Sequence, residues 1–144
     1  MQSRAYILLI AAIVSIGSTA NCIDVVKLSD AAVHRCVRDK ELEEKLREIV
    51  FSPVLPEDDE NFIEFYECFC KELKILDDDG NMDLDVVRII YSNYITKKIS
   101  SKVDAMQLTN EAIEKCEKIP LLGKPGLYAI KRRNCGNKLI LERI

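Results

Sequence analysis

The sequence predicts an all-α fold: one compact domain of about six short helices around an apolar cavity, stapled by disulfides. Three observations predict it. Apolar residues recur at helical spacing along nearly the whole chain. Only 4 prolines and 5 glycines occur in 144 residues, and most of them mark joints. Hydrophobic residues make up 48% of the chain, enough to build a core, which sets disorder aside.

The N-terminal stretch 1–20 reads as a secretory signal peptide. Arg4 precedes an uncharged run from Ala5 to Ile16, and small residues close it at Gly17-Ser18-Thr19-Ala20. That run falls short of the roughly 20 apolar residues a membrane span needs. Cleavage would leave a single domain over 21–144 and take away one Arg and no acid, moving the formal charge from −3 to −4. With no basic excess to neutralise phosphates, nucleic acid is not an expected partner, and no membrane insertion is expected either. A secreted, extracellular chain oxidises its thiols, so Cys22, Cys36, Cys68, Cys70, Cys116 and Cys135 read as a disulfide framework. Cutting after Cys22 instead of Ala20 would leave five of them.

Ser29 or Asp30 can cap a first helix running to about Phe51, with Leu42, Leu46 and Ile49 on one stripe and Glu41 spaced to pair with Lys45. Pro53 and Pro56 end it. The acidic run from Glu57 to Glu60 suits the next helix start, where negative charge meets the helix dipole. A second helix follows from about Asn61 to Leu76. On its wheel Phe62, Ile63, Phe65, Tyr66, Phe69, Cys70, Leu73 and Leu76 share an arc of roughly 160°. Cys68 lies on the flank of that arc, so Cys68 and Cys70 point apart and cannot bond to each other. A turn at Asp77–Asn81 leads to a third helix from about Asp83, with Val86, Ile89, Ile90 and Tyr94 on one face. The next is expected from about Ser100 to Lys118, with Val103, Met106, Ile113 and Cys116 inward. Pro120, Gly123, Pro125 and Gly126 make a loop. The last helix covers Leu127 to about Cys135, and Gly136 is expected to stop it. The apolar tail from Leu139 to Ile144 is then expected to fold back over the cavity as a lid, beside a soft wall at Ile119–Gly126.

No constellation for chemistry emerges: the expectation is no enzyme, no catalytic residues, no metal and no cofactor. The turn Asp77-Asp78-Asp79-Gly80-Asn81 resembles the centre of an EF-hand. Registering Gly80 on the sixth loop position, however, puts Ile75 and Val86 at the two ends, where carboxylates are required. The sole histidine, His34, has no partner set for a metal site, and no Ser or Cys stands in a nucleophile elbow.

The cysteine spacing is more informative. Cys36 and Cys68 lie on two different helices, as do Cys116 and Cys135. The stretch from Phe65-Tyr66-Glu67-Cys68 into Leu76-Asp77-Asp78-Asp79-Gly80, with Gly80 twelve residues beyond Cys68, resembles the insect odorant-binding proteins (PBP/GOBP-like). The resemblance extends over about Ser29 to Cys135. It implies bonds Cys36–Cys68 and Cys116–Cys135. The positions of the family's second and fifth cysteines, which bond to each other, hold Glu64 and Gly126, the pattern of the C-minus subclass. Cys22 and Cys70 have no counterpart in that scheme. Either they form a replacement bond, or Cys70 is a buried free thiol and Cys22 is free or removed.

The resemblance implies a secreted carrier of small hydrophobic molecules, odorants or pheromones among them. Its expected partners are a small apolar ligand and a membrane chemoreceptor, and the chain is expected as a monomer or weak homodimer. Candidate lining residues are those on the apolar arcs: Phe65, Phe69, Leu73, Leu76, Val86, Ile89, Ile90, Tyr94, Met106, Ile113 and Tyr128. Tyr94 and Tyr128 offer hydroxyls. The alternative is a secreted helical interaction protein or venom-like effector with a filled core and an exposed apolar patch. A small secreted phospholipase fits least, since it needs a calcium loop and a catalytic His beside an Asp.

Overall fold

Five aspartates start five helices. The carboxylates of Asp24, Asp39, Asp59, Asp83 and Asp104 each accept a backbone N–H from the first turn that follows, satisfying a donor the helix leaves open and placing negative charge at the positive end of its dipole. In the computed structural model, which describes residues 24–98 and 104–143, the helices are α1 (Val25–Cys36), α2 (Lys40–Val50), α3 (Glu60–Glu72), α4 (Leu84–Lys98), α5 (Ala105–Cys116) and α6 (Pro125–Leu141). Helix α6 has no side-chain cap and begins instead with Pro125, whose missing N–H would have gone unpaired there. The signal-peptide stretch, Cys22, Val103 and Ile144 lie outside the described residues.

The helix boundaries correct the sequence expectation in five places. Helix α1 begins at its Asp24 cap, so Ser29 and Asp30 lie inside it rather than capping it. The single first helix is two, because Val37 is extended (φ −131°, ψ 135°) and Asp39 caps a fresh start through the Glu41 amide. Leu42 then falls on the exposed side of α2, while Leu46 and Val50 are buried. Helix α3 stops at Glu72 rather than Leu76. Lys74 takes a left-handed conformation (φ 63°), and the Ile75 and Leu76 amides both donate to the Cys70 carbonyl. Helix α5 begins at its Asp104 cap rather than at Ser100. Gly136 does not stop α6. A glycine ends a helix by turning left-handed, and the left-handed glycines here, Gly80 and Gly123, lie in the turns between helices.

Two disulfides tie helices together. Cys36 at the end of α1 bonds Cys68 on α3, and Cys116 at the end of α5 bonds Cys135 on α6, with Cα separations of 5.9 and 5.8 Å. These are the pairs that the resemblance implies. Cys70 is a buried free thiol. Helix α6 packs on both α3 and α5, α4 packs on α5, and α1 lies across α3.

The core divides in two. A larger cluster gathers α1, α2, α3 and the start of α6 around Phe62, Ile63, Tyr66, Phe69, Leu76 and Ile130. Aromatic rings stack along α3, with Tyr66 centred 5.8 Å from Phe62 and 5.5 Å from Phe69. A smaller cluster of Ile95, Leu108, Ala112 and Ile140 joins α4, α5 and the end of α6, with Tyr91 and Tyr94 packed against it. Ile140 is thus an anchor of the last turns, so the expected tail is a continuation of α6. The described tail residues beyond Asn137 line neither of the two apolar cavities described below.

Candidate ligand-binding cavity

Two apolar cavities lie where the clusters meet. The first, of about 60 Å³, is lined by Tyr66 and Cys70 of α3, Ile75, Met82, Val87 and Tyr91, Thr109, Ala112 and Ile113 of α5, and Ala129, Arg132, Arg133 and Gly136 of α6, with exposed Glu117 at its rim. Small side chains account for the space. Ala112, Ala129, Gly136 and Cys70 stand at the positions where α3, α5 and α6 converge, and none of them reaches far enough to fill the gap. The second cavity, also about 60 Å³, lies between Val25 and Ser29 of α1, Val50 and Phe51, Phe69 and Leu73 of α3, Ile90 and Tyr94 of α4, and Asn137 of α6. Tyr66, Ile75, Tyr91 and Arg133 line both, and so form the wall between them.

Most polar groups around these spaces already have partners. Thr109 Oγ1 donates to the Ala105 carbonyl at 2.7 Å. Arg132 Nε and Nη2 hold the Glu117 and Ile119 carbonyls at 2.8–3.0 Å. That clamp fixes the beginning of the loop expected to be the soft wall. Asn137 Nδ2 donates to the Pro53 carbonyl at 3.0 Å. Arg133 Nη2 donates to the Val50 and Ser52 carbonyls at 2.5 and 3.2 Å, tying α6 to the end of α2. Its Nη1 is buried and has no partner.

Burial keeps the thiol and the phenols around these spaces protonated. It pushes the Cys70 thiol up to about 12, with the Tyr66 hydroxyl beside it pulling the other way. It pushes the Tyr91 hydroxyl up to about 12, opposed by the Arg133 guanidinium, and raises Tyr66 well above the ordinary phenol range.

The eleven lining candidates divide. Ile113 lines the first cavity, and Phe69, Leu73, Ile90 and Tyr94 line the second. Phe65 and Leu76 are filled core, and Val86 packs against that core. Tyr128 is buried, and its hydroxyl donates to the Gly80 carbonyl, binding the Asp77–Asp83 turn to α6 instead of facing a cavity. Ile89 and Met106 are corrections, at 43% and 44% exposed. Apolar residues surround α4 on nearly all sides, so its orientation is set by α5 rather than by its own pattern. Met106 sits on the first turn of α5, off the buried stripe of Leu108, Ala112 and Cys116. In the Asp77–Asn81 turn, Asp77 Oδ1 accepts the Asp79 and Asn81 amides, and Oδ2 accepts the Asn81 side chain.

Sequence reasoning missed Tyr91, Thr109, Ala112, Gly136 and Arg133. Arg133 left a legible signal: a cation interrupting the stripe of Ile130, Asn137 and Ile140, all of them buried.

A family model for the PBP/GOBP family matches residues 20–137. The chain belongs to the PBP/GOBP family. The matched segment contains every residue that lines either cavity. PBP/GOBP proteins are binding and carrier proteins rather than enzymes. Neither the curated proteins nor the solved structures yield a match.

Proposed function

We propose that the protein is a secreted carrier, made with a signal peptide over 1–20, that holds one small apolar molecule of the odorant or pheromone kind inside its helical domain. The observation that carries this reading is the divided core. A domain with ample apolar residues leaves two apolar spaces between its clusters, where a protein built only to be stable would close them. Glu64 and Gly126, at the positions of the family's second and fifth cysteines, support reading the chain as a member of the C-minus subclass.

Size constrains how binding works. A cavity of about 150 Å³ is needed for a molecule as small as benzene. Each space here is about 60 Å³, so a ligand occupies both by turning aside part of the wall of Tyr66, Ile75, Tyr91 and Arg133. Tyr91 is the simplest part to move, since its hydroxyl holds only a long contact of 3.5 Å to the Arg133 carbonyl.

The test is uptake of a fluorescent apolar probe, N-phenyl-1-naphthylamine, by the oxidised protein, and its displacement by small volatiles. Micromolar uptake is expected, along with a marked loss in Ala112→Phe, which fills the first cavity. A folded protein that takes up no probe would overturn the carrier reading.

A further inference from the structure

We infer that the cavity selects apolar molecules ending in a carboxylate, and that Arg133 is the group that holds that end. This rests on the carrier reading above and specifies its ligand. Arg133 lines both cavities and stands in the wall between them, where a ligand spanning the two must pass. One arm is committed to the Val50 and Ser52 carbonyls. The other ends in Nη1, buried and without an acceptor. Such a group is costly to leave unpaired, and a guanidinium cannot lose its proton to escape the cost.

Apart from Arg38, which is exposed to water, Arg133 differs from the other described arginines in this respect. Arg35, Arg47, Arg88 and Arg143 each reach a carboxylate within 3.2 Å. Arg132 turns all its bonds to carbonyls on the loop after α5 and to Met82. Among the described residues no carboxylate pairs with Arg133, so its buried Nη1 is left without an acceptor at the edge of two apolar spaces. A ligand carboxylate supplies both the acceptor for Nη1 and the compensating charge, in a geometry that arginine favours. Tyr66, Tyr91 and Cys70 beside it are neutral, hydrogen-bonding groups, and the carboxylate in the lining, Glu117, is exposed at the rim of the first cavity.

The experiment compares decanoic acid, 1-decanol and methyl decanoate as displacers of N-phenyl-1-naphthylamine from the wild type, Arg133→Met and Arg133→Lys. The acid should bind the wild type roughly tenfold or more tightly than the alcohol or the ester. Arg133→Met should bind all three alike, and Arg133→Lys should keep part of the preference. An acid no better than its alcohol in the wild type overturns the inference, as does a preference that survives in Arg133→Met. Probe uptake itself reports the carrier reading, so the two failures are separable. Because Arg133→Met also releases α2, a second measurement uses the wild type alone. The carboxyl of ¹³C-labelled decanoic acid should titrate at lower pH when bound than when free, and an unshifted or raised titration would overturn the assignment.

Discussion

A Cβ on Gly126 would fall 2.1 Å from the carbonyl oxygen of Ile63 and 3.2 Å from the Glu67 side chain. Helices α3 and α6 therefore touch through bare backbone at the place where the resemblance would otherwise put a disulfide between positions 64 and 126. Close approach, with Ile63, Tyr66, Tyr128 and Ala129 buried around it, joins the two helices in place of a covalent bond. Gly126→Ala should push them apart at a cost of about 3 kcal/mol, toward the upper end for overpacking, as read by urea unfolding. Installing cysteines at both 64 and 126 should likewise destabilise the fold. A gain in stability would show that the helices have room to move.

Gly136 gives the opposite expectation. A Cβ there meets only Tyr91, at 3.8 Å, within an otherwise regular helix. Gly136→Ala should stabilise the protein by about 0.5–1 kcal/mol by restricting the unfolded chain. Since Gly136 lines the first cavity, probe affinity should fall in the same variant. A variant that melts higher with unchanged probe uptake would move the ligand away from that cavity.

The two disulfides close loops of sequence separation 32 and 19. Cys36→Ser and Cys116→Ser should each cost about 3–4 kcal/mol by the chain-entropy model, measured by denaturant midpoint in non-reducing buffer. Cys70→Ser, which removes a free thiol, should cost less than either. An equal loss there would place Cys70 in a bond.

Cys70 and Tyr91 also set an alkaline limit. Both titrate at about 12 in the fold, against ordinary values of 9.0 and 10.0. The unfolded chain therefore gives up these protons first as pH rises. Their contribution is complete below about pH 9 and is lost between about 9 and 12, a drop on the order of a few kcal/mol. Thermal melts across that range should fall steeply in the wild type and less in Cys70→Ala. Alkylation of Cys70 at pH 8 should be slow until the protein unfolds.

Tyr128 holds the Gly80 carbonyl, and the Leu76–Met82 bridge closes the same turn. Tyr128→Phe should lose about 1 kcal/mol and leave the buried carbonyl unpaired. Amide exchange should rise locally at Asp77–Met82, whereas protection loss spread over α3 would show that the hydroxyl supports more than the turn.

The helical class, the turn at Asp77–Asn81 and the inward face of α3 were legible because each depends on residues three or four apart. Phe62, Ile63, Phe65, Tyr66 and Phe69 form one arc on the wheel, and all are buried. The break at Val37 was less visible. Asp24 and Asp39 both cap helices while Ser29 and Asp30 lie inside α1, and four residues of such cap-forming type in one stretch do not say which of them start a helix.

By itself the sequence determined the helix content, the apolar arc of α3 and the cysteine spacing that points to the family, since periodicity and spacing are written into neighbouring residues. Only the tertiary structure decided where the empty space lies. Whether Ile90 faces a cavity while Ile89 faces water depends on how α4 rolls against α5. Whether Arg133 is solvated or enclosed depends on how closely α6 approaches α3 and α2. A cavity is the volume left over when several helices meet at given angles, and no single helix carries that information in its own pattern of residues.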